Sequence, residues 1–144
     1  MSINKGDRKQ SRAEFDNTYF IIHEDARKQY SNHFGARGEI YEENKDYIRM
    51  MGLKILDSVI DTGKEIRIAN SIYPKTDREY AERRLAQEKA IGNCFDILTK
   101  YQLMMKTLKI PDDKYTEEIK HIIHEINCLK RWRDSDTKRF KNIG

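Results

Sequence analysis

Proline is almost missing from this chain: two, Pro74 and Pro111, in 144 residues. Glycine is sparse, and three of the seven (Gly52, Gly63 and Gly92) fall inside helical patterns. A β-sandwich or barrel needs a turn signal roughly every ten residues, so that class is excluded. Cysteine is equally scarce. Cys94 and Cys128 form no CxxC spacing. Two free thiols in a reducing compartment are expected, and a cytoplasmic location with them. No apolar run reaches the ~18 residues of a membrane-spanning helix. The first twelve residues are polar and basic, so no secretory leader is expected. Gly-rich phosphate loops, GxSxG, HExxH and paired carboxylates in an apolar frame are also missing. Nucleophilic catalysis has no candidate with an identifiable base. No enzymatic activity, cofactor or metal is expected.

Charge, by contrast, is abundant. Charged residues make up 36% of the chain and hydrophobic ones 38%. That balance suits long helices with solvated faces in a single domain. The net charge of +4 is unevenly spread. Between Lys130 and Lys141 six basic residues stand against Asp134 and Asp136. Residues 1–12 hold four basic residues against Asp7, and the middle is mildly acidic. Basic ends point to an anionic partner.

Periodicity divides the chain into an all-α, up-down-up-down four-helix bundle over residues 11–141, preceded by a disordered basic arm over 1–10. The first helix, about 11–33, opens with a Ser11–Glu14 capping box and carries Phe15, Tyr19, Ile22, Ala26 and Tyr30 on one stripe. Gly35 and Gly38 end it. The second, about 42–72, carries Ile48, Met51, Ile55, Val59, Ile66 and Tyr73, with Leu56 and Ile60 widening the face. Gly52 and Gly63 each cost roughly 1 kcal/mol against alanine, which suggests close approach of a neighbour. The third, about 77–108, starts at a Thr76–Glu79 capping box after Pro74. Its stripe is Tyr80, Arg84, Gln87, Ile91, Phe95, Leu98, Gln102, Met105 and Leu108. The fourth, about 113–138, is capped by Pro111-Asp112-Asp113 and carries Tyr115, Ile119, Ile122, Ile126, Leu129 and Trp132 or Arg133. Its acidic start and basic end suit the helix dipole.

Four constellations bear on function. Glu118-x-x-His121, with His124 beside it, matches half of a di-iron bundle motif, but no second Glu-x-x-His exists to complete it. Arg27 and His33 have the Arg-x5-His spacing of all-helical HEPN-like ribonucleases, in which arginine stabilises phosphate charge and histidine moves a proton. In the segment from Lys130 to Lys141, Lys130, Arg131, Arg133, Lys138, Arg139 and Lys141 interleave with Trp132 and Phe140. Cations neutralise phosphates and rings stack on unpaired bases; the competing account puts both rings in the core. Arg83, Arg84 and Lys89 add positive charge to the third helix. There Arg84 and Gln87, within the apolar stripe, suggest a subunit contact or a buried network, or local pairing with Glu88.

Three signatures carry a resemblance to a known family: Ala69-Asn70-Ser71-Ile72-Tyr73-Pro74; Glu82-Arg83-Arg84-x-x-Gln87-x-Lys89-Ala90-Ile91-Gly92; and Leu129-Lys130-x-Trp132-x-x-Ser135-Asp136. Together, from about Phe15 to Phe140, the chain resembles the accessory variability determinant (Avd) proteins of diversity-generating retroelements. Those belong with the four-helix bundles encoded by ribosomal RNA intervening sequences. The resemblance implies a non-catalytic partner of a reverse transcriptase and its template RNA, assembled as a homo-oligomer, a pentamer in that family, that supports mutagenic cDNA synthesis. It makes Arg83, Arg84, Lys89, Lys130, Arg131, Arg133, Lys138, Arg139 and Lys141 the candidate contacts. The negative middle of the chain departs from the stronger positive charge of that family and shifts weight toward the protein partner. The alternatives are the ribonuclease and a helical interaction protein without a nucleic-acid role.

Overall fold

The computed structural model describes residues 17–27, 39–110 and 113–141. The described residues form four helices and no strand. They are α1 (residues 17–27), α2 (Glu39–Ser71), α3 (Asp77–Leu108) and α4 (Thr116–Arg139). The basic arm, the Ser11–Glu14 capping box, both ends of the first helix and His33 lie outside the described residues. Within α2, Asn44 leaves helical geometry (φ −126°, ψ 17°), so the long straight run starts just after it.

Each boundary has a chemical cause. At the start of α3, Thr76 Oγ1 accepts from the Glu79 amide at 3.2 Å, while the Glu79 carboxylate accepts from the Lys75 amide at 3.1 Å. One amide that the helix leaves open, that of Glu79, and one just ahead of its cap, that of Lys75, are thereby satisfied. At its end Lys109 takes a left-handed conformation (φ 56°), and the Ile110 amide turns back to Met105 O at 2.9 Å. The fourth helix begins at Thr116, three residues later than expected. Tyr115 occupies its cap position without a side-chain capping bond, because its ring is buried 5.8 Å from that of Tyr101.

The buried residues form one core. Ile22 and Ala26 of α1, Ile55 and Val59 of α2, Ile97 of α3 and Ile122 of α4 meet around one small gap. Along α2 and α3, Ser58 meets Asp96 while Ala69 meets Arg83, so the two helices run antiparallel. Between α3 and α4, Arg83 meets Asp136 and Tyr101 meets Tyr115, again antiparallel. A Cβ at Gly63 of α2 would overlap the hydroxyl and ring of Tyr19 on α1, so this glycine does serve the close approach of a neighbouring helix.

The expected stripes of α2 and α4 enter the core with two exceptions. Tyr73 and Ile60 are exposed. On α3 the buried face is wider than the expected stripe: Gln87, Ile91, Met105 and Leu108 are buried as expected, Arg83, Ala86, Ala90, Cys94, Ile97, Tyr101 and Met104 are buried beside them, and Phe95 and Gln102 are exposed. The reason is that α3 packs against both α2 and α4. A helix covered from two sides buries a wide arc, and small residues fill its close side.

Candidate nucleic-acid interface

The end of the bundle where α2 turns into α3 is organised by one buried ion pair. Arg83 Nε donates to Asp136 Oδ2 at 2.5 Å and its Nη2 donates to Oδ1 at 3.2 Å. Gln87 Nε2 donates to Asp136 Oδ2 at 2.7 Å. The remaining Arg83 nitrogen, Nη1, donates to Ala69 O at 3.2 Å and Ile72 O at 2.9 Å. Those are carbonyls at the C-terminal end of α2, which has no basic residue in its own last turn. Arg83 therefore supplies from the next helix the positive charge and donors that such an end calls for. Its guanidinium lies 5.1 Å from the Trp132 ring centre and 5.7 Å from that of Phe140. Trp132 is buried, so its ring belongs to the core.

This corrects one expectation. Arg83, a candidate surface contact by sequence, is only 5% exposed, with its donors committed to Asp136 and α2. A buried guanidinium with a bidentate carboxylate partner is a structural clamp. Gln87 joins the same network. Arg84 stays at its rim, where Nη1 donates to Thr137 Oγ1 at 2.8 Å and Nε stands 3.9 Å from Glu88. A buried network and local pairing with Glu88 thus both occur, each at one of the two residues.

The other candidates divide by direction. On a helix of 3.6 residues per turn, Lys130, Arg131 and Lys138 lie opposite the buried Leu129, Trp132 and Asp136, and Lys141 follows just past the helix end. Arg131, Lys138 and Lys141 are exposed; Lys130 is half-buried, its ammonium 5.5 Å from the Phe95 ring centre. Arg131 Nη2 also stands 3.3 Å from Cys128 Sγ. Arg133 turns toward α3 and pairs with Glu88 at 3.2 Å. Arg139 turns inward, 3.7 Å from Asp136, and covers the Phe140 ring at 4.6 Å. Lys89 is exposed on the α2 side of α3, beside Asp61, Lys64 and Glu65, and is not brought to the α4 cations. Among the described residues, Lys89, Lys138 and Lys141 enter no ion pair. Sequence reasoning missed the clamp role of Asp136, which it had as an offsetting charge and as the end of the third signature, and the exposure of Tyr73. An aspartate spaced to face two polar α3 positions was the available signal for the first.

The remaining constellations are structural in placement. His121 Nδ1 lies 2.7 Å from Asp25 Oδ2, which ties α4 to α1. His124 Nε2 stands 3.6 Å from Cys128 Sγ. No group of three potential metal ligands occurs among the described residues. Arg27 is exposed and bonded to Glu24 at 2.9 Å; that hydrogen bond raises its already high pKa. Cys94 is fully buried, and burial first, then the nearby Glu125 charge, push its thiol pKa well above the usual range. Such a thiol is unreactive. No helix among the described residues is long and apolar enough to cross a membrane.

Comparison with protein-family models, with curated proteins and with solved structures finds no match.

Proposed function

We propose that this chain is a non-catalytic accessory protein of a diversity-generating retroelement, binding a reverse transcriptase and its template RNA in the cytoplasm as a homo-oligomer. The observation that carries the RNA part is the run of cations on the outer side of the C-terminal half of α4 and just past its end: the half-buried Lys130 and the exposed Arg131, Lys138 and Lys141. Lys138 and Lys141 are exposed and enter no ion pair among the described residues, so their charges are available to phosphates, and Lys130 and Arg131 add to the same positive face.

The family part draws support from a convergence. Ala69 and Ile72 belong to the first signature, Arg83 and Gln87 to the second, Trp132 and Asp136 to the third. These six residues from three separate segments make one cluster. Signatures that depend on one another physically speak for a shared frame. They do not speak for a shared partner, which is why the functional claim rests on the cations outside the cluster.

The test is capture of the reverse transcriptase encoded beside this chain, and of its template RNA, at low and high salt. If four phosphates are neutralised, raising salt from about 50 to 200 mM weakens RNA binding about 50-fold, from a slope of about −0.7 per contact. The variant with Lys130, Arg131, Lys138 and Lys141 changed to glutamine loses that salt dependence. Capture that ignores salt, or none at all, would leave a helical interaction protein of another kind.

A further inference from the structure

We infer that Tyr73 is a stacking platform for an unpaired base of single-stranded RNA, an inference that rests on the RNA-binding reading above. Tyr73 sits in the turn between α2 and α3 and, at 65%, is the most exposed large apolar side chain among the described residues. Solvent exposure alone would mean little. The ring is also held. Phe140 meets it edge-on, with centres 5.8 Å apart and planes at 87°. Phe140 is itself buried, 6.0 Å from Tyr80 and beneath the clamped Arg83. The Arg139 guanidinium lies 5.8 Å from the Tyr73 ring centre. An aromatic surface is thus fixed against the rigid end of the bundle and offered to solvent beside a cation.

That arrangement fits one kind of ligand. A base presents a π-face that the exposed Tyr73 ring can meet, while Arg139, stacked over Phe140, adds positive charge beside it. The phosphates flanking such a base would find Lys138 and Lys141 on the same end of α4. Of the acidic residues at the start of α3, the Glu79 carboxylate accepts from the Lys75 amide and Glu82 pairs with Arg78 at 3.3 Å, while Asp77 is exposed. A duplex buries its base faces in its own stack, so the partner is a single strand, as in the loops and ends of folded RNA.

The experiment uses the full chain and a fluorescein-labelled single-stranded RNA of mixed sequence, alone or annealed to its complement, read by anisotropy at low salt. Tyr73→Leu weakens single-strand binding about tenfold, as expected for loss of one stacked base, and leaves duplex binding unchanged. Tyr73→Phe binds the single strand as the parent chain does. Tyr73→Leu that binds the single strand normally, while the four-glutamine variant loses it, overturns this inference and spares the RNA reading. Equal loss on both RNAs, or a change of sedimenting mass on Tyr73→Leu, also overturns it, the latter placing the ring between copies of the chain. A parent chain that binds neither RNA removes both readings together.

Discussion

Replacing Arg83 with methionine tests whether that residue is a clamp or a contact. The substitution keeps the side chain's length and apolar stem but removes four hydrogen bonds, two to Asp136 and two to α2 carbonyls. It strands the Asp136 carboxylate, which is 1% exposed, with Gln87 and the more distant Arg139 as partners. Breaking one side of a buried pair costs about 3–5 kcal/mol, and Gln87 offsets part of this, so we expect about 3–4 kcal/mol. With an m-value of about 2 kcal/mol/M in urea, the midpoint falls by roughly 1.5–2 M. Stabilities of native domains are about 5–15 kcal/mol, so the loss is a large share of the whole. Urea unfolding followed by circular dichroism at the helix band reads it directly. The double variant Arg83→Met/Asp136→Leu removes the stranded charge and recovers most of the loss, since well-packed apolar replacements of buried pairs are near neutral. A single-variant loss below about 1 kcal/mol would refute the clamp, because only a solvated guanidinium is removed so cheaply. Loss of RNA capture at full stability would return Arg83 to the interface.

Two glycines that look alike in sequence should respond in opposite ways. Gly63→Ala drives a methyl into Tyr19, and the overlap outweighs the gain in helix propensity by about 1 kcal/mol; Gly92→Ala meets nothing within 4 Å and stabilises by about 0.5–1 kcal/mol. Urea midpoints moving in the same direction for both would contradict this. Asp96 has its pKa lowered, first by the hydrogen bond from Lys100 at 2.7 Å and then by that from Ser58. Its stabilising share is therefore complete above the ordinary aspartate pKa of about 3.9 and fades as pH falls through the lower folded value. Because the carboxylate is about half exposed, Asp96→Asn costs only roughly 0.5 kcal/mol near neutrality. A gap between parent and Asp96→Asn that widens on acidification would have the wrong sign.

Much of the frame was legible before any coordinate. Scarce proline and glycine, steps of three and four, and the Thr76–Glu79 box marked long helices, and α3 has the expected bounds. Local rules govern these features, since a capping oxygen or a missing amide acts within one turn. The α3 face was less legible. Phe95 and Gln102 fit a stripe by spacing, yet Cys94 and Tyr101, one position away, are buried. Spacing chooses a face only where one side is covered, and α3 is covered on two. The candidate site was legible as composition alone. Six basic residues near the C-terminus are plain in the sequence, but Arg133 and Arg139 are drawn toward Glu88 and Asp136 while Lys138 and Lys141 face solvent.

What the sequence determined alone is therefore what short-range chemistry determines: helix identity, most boundaries, the acidic start and basic end of α4, and the location of surplus charge. The tertiary structure decided which of those charges is spent internally. Arg83 and Asp136 lie 53 positions apart, and Ala69 and Ile72 belong to a third segment. Only packing three helices at one end brings a guanidinium, a carboxylate and two open carbonyls together away from the solvent surface, where each must find a partner. The same packing buries Phe140 and leaves Tyr73 outside, and so holds an aromatic ring of that end against solvent.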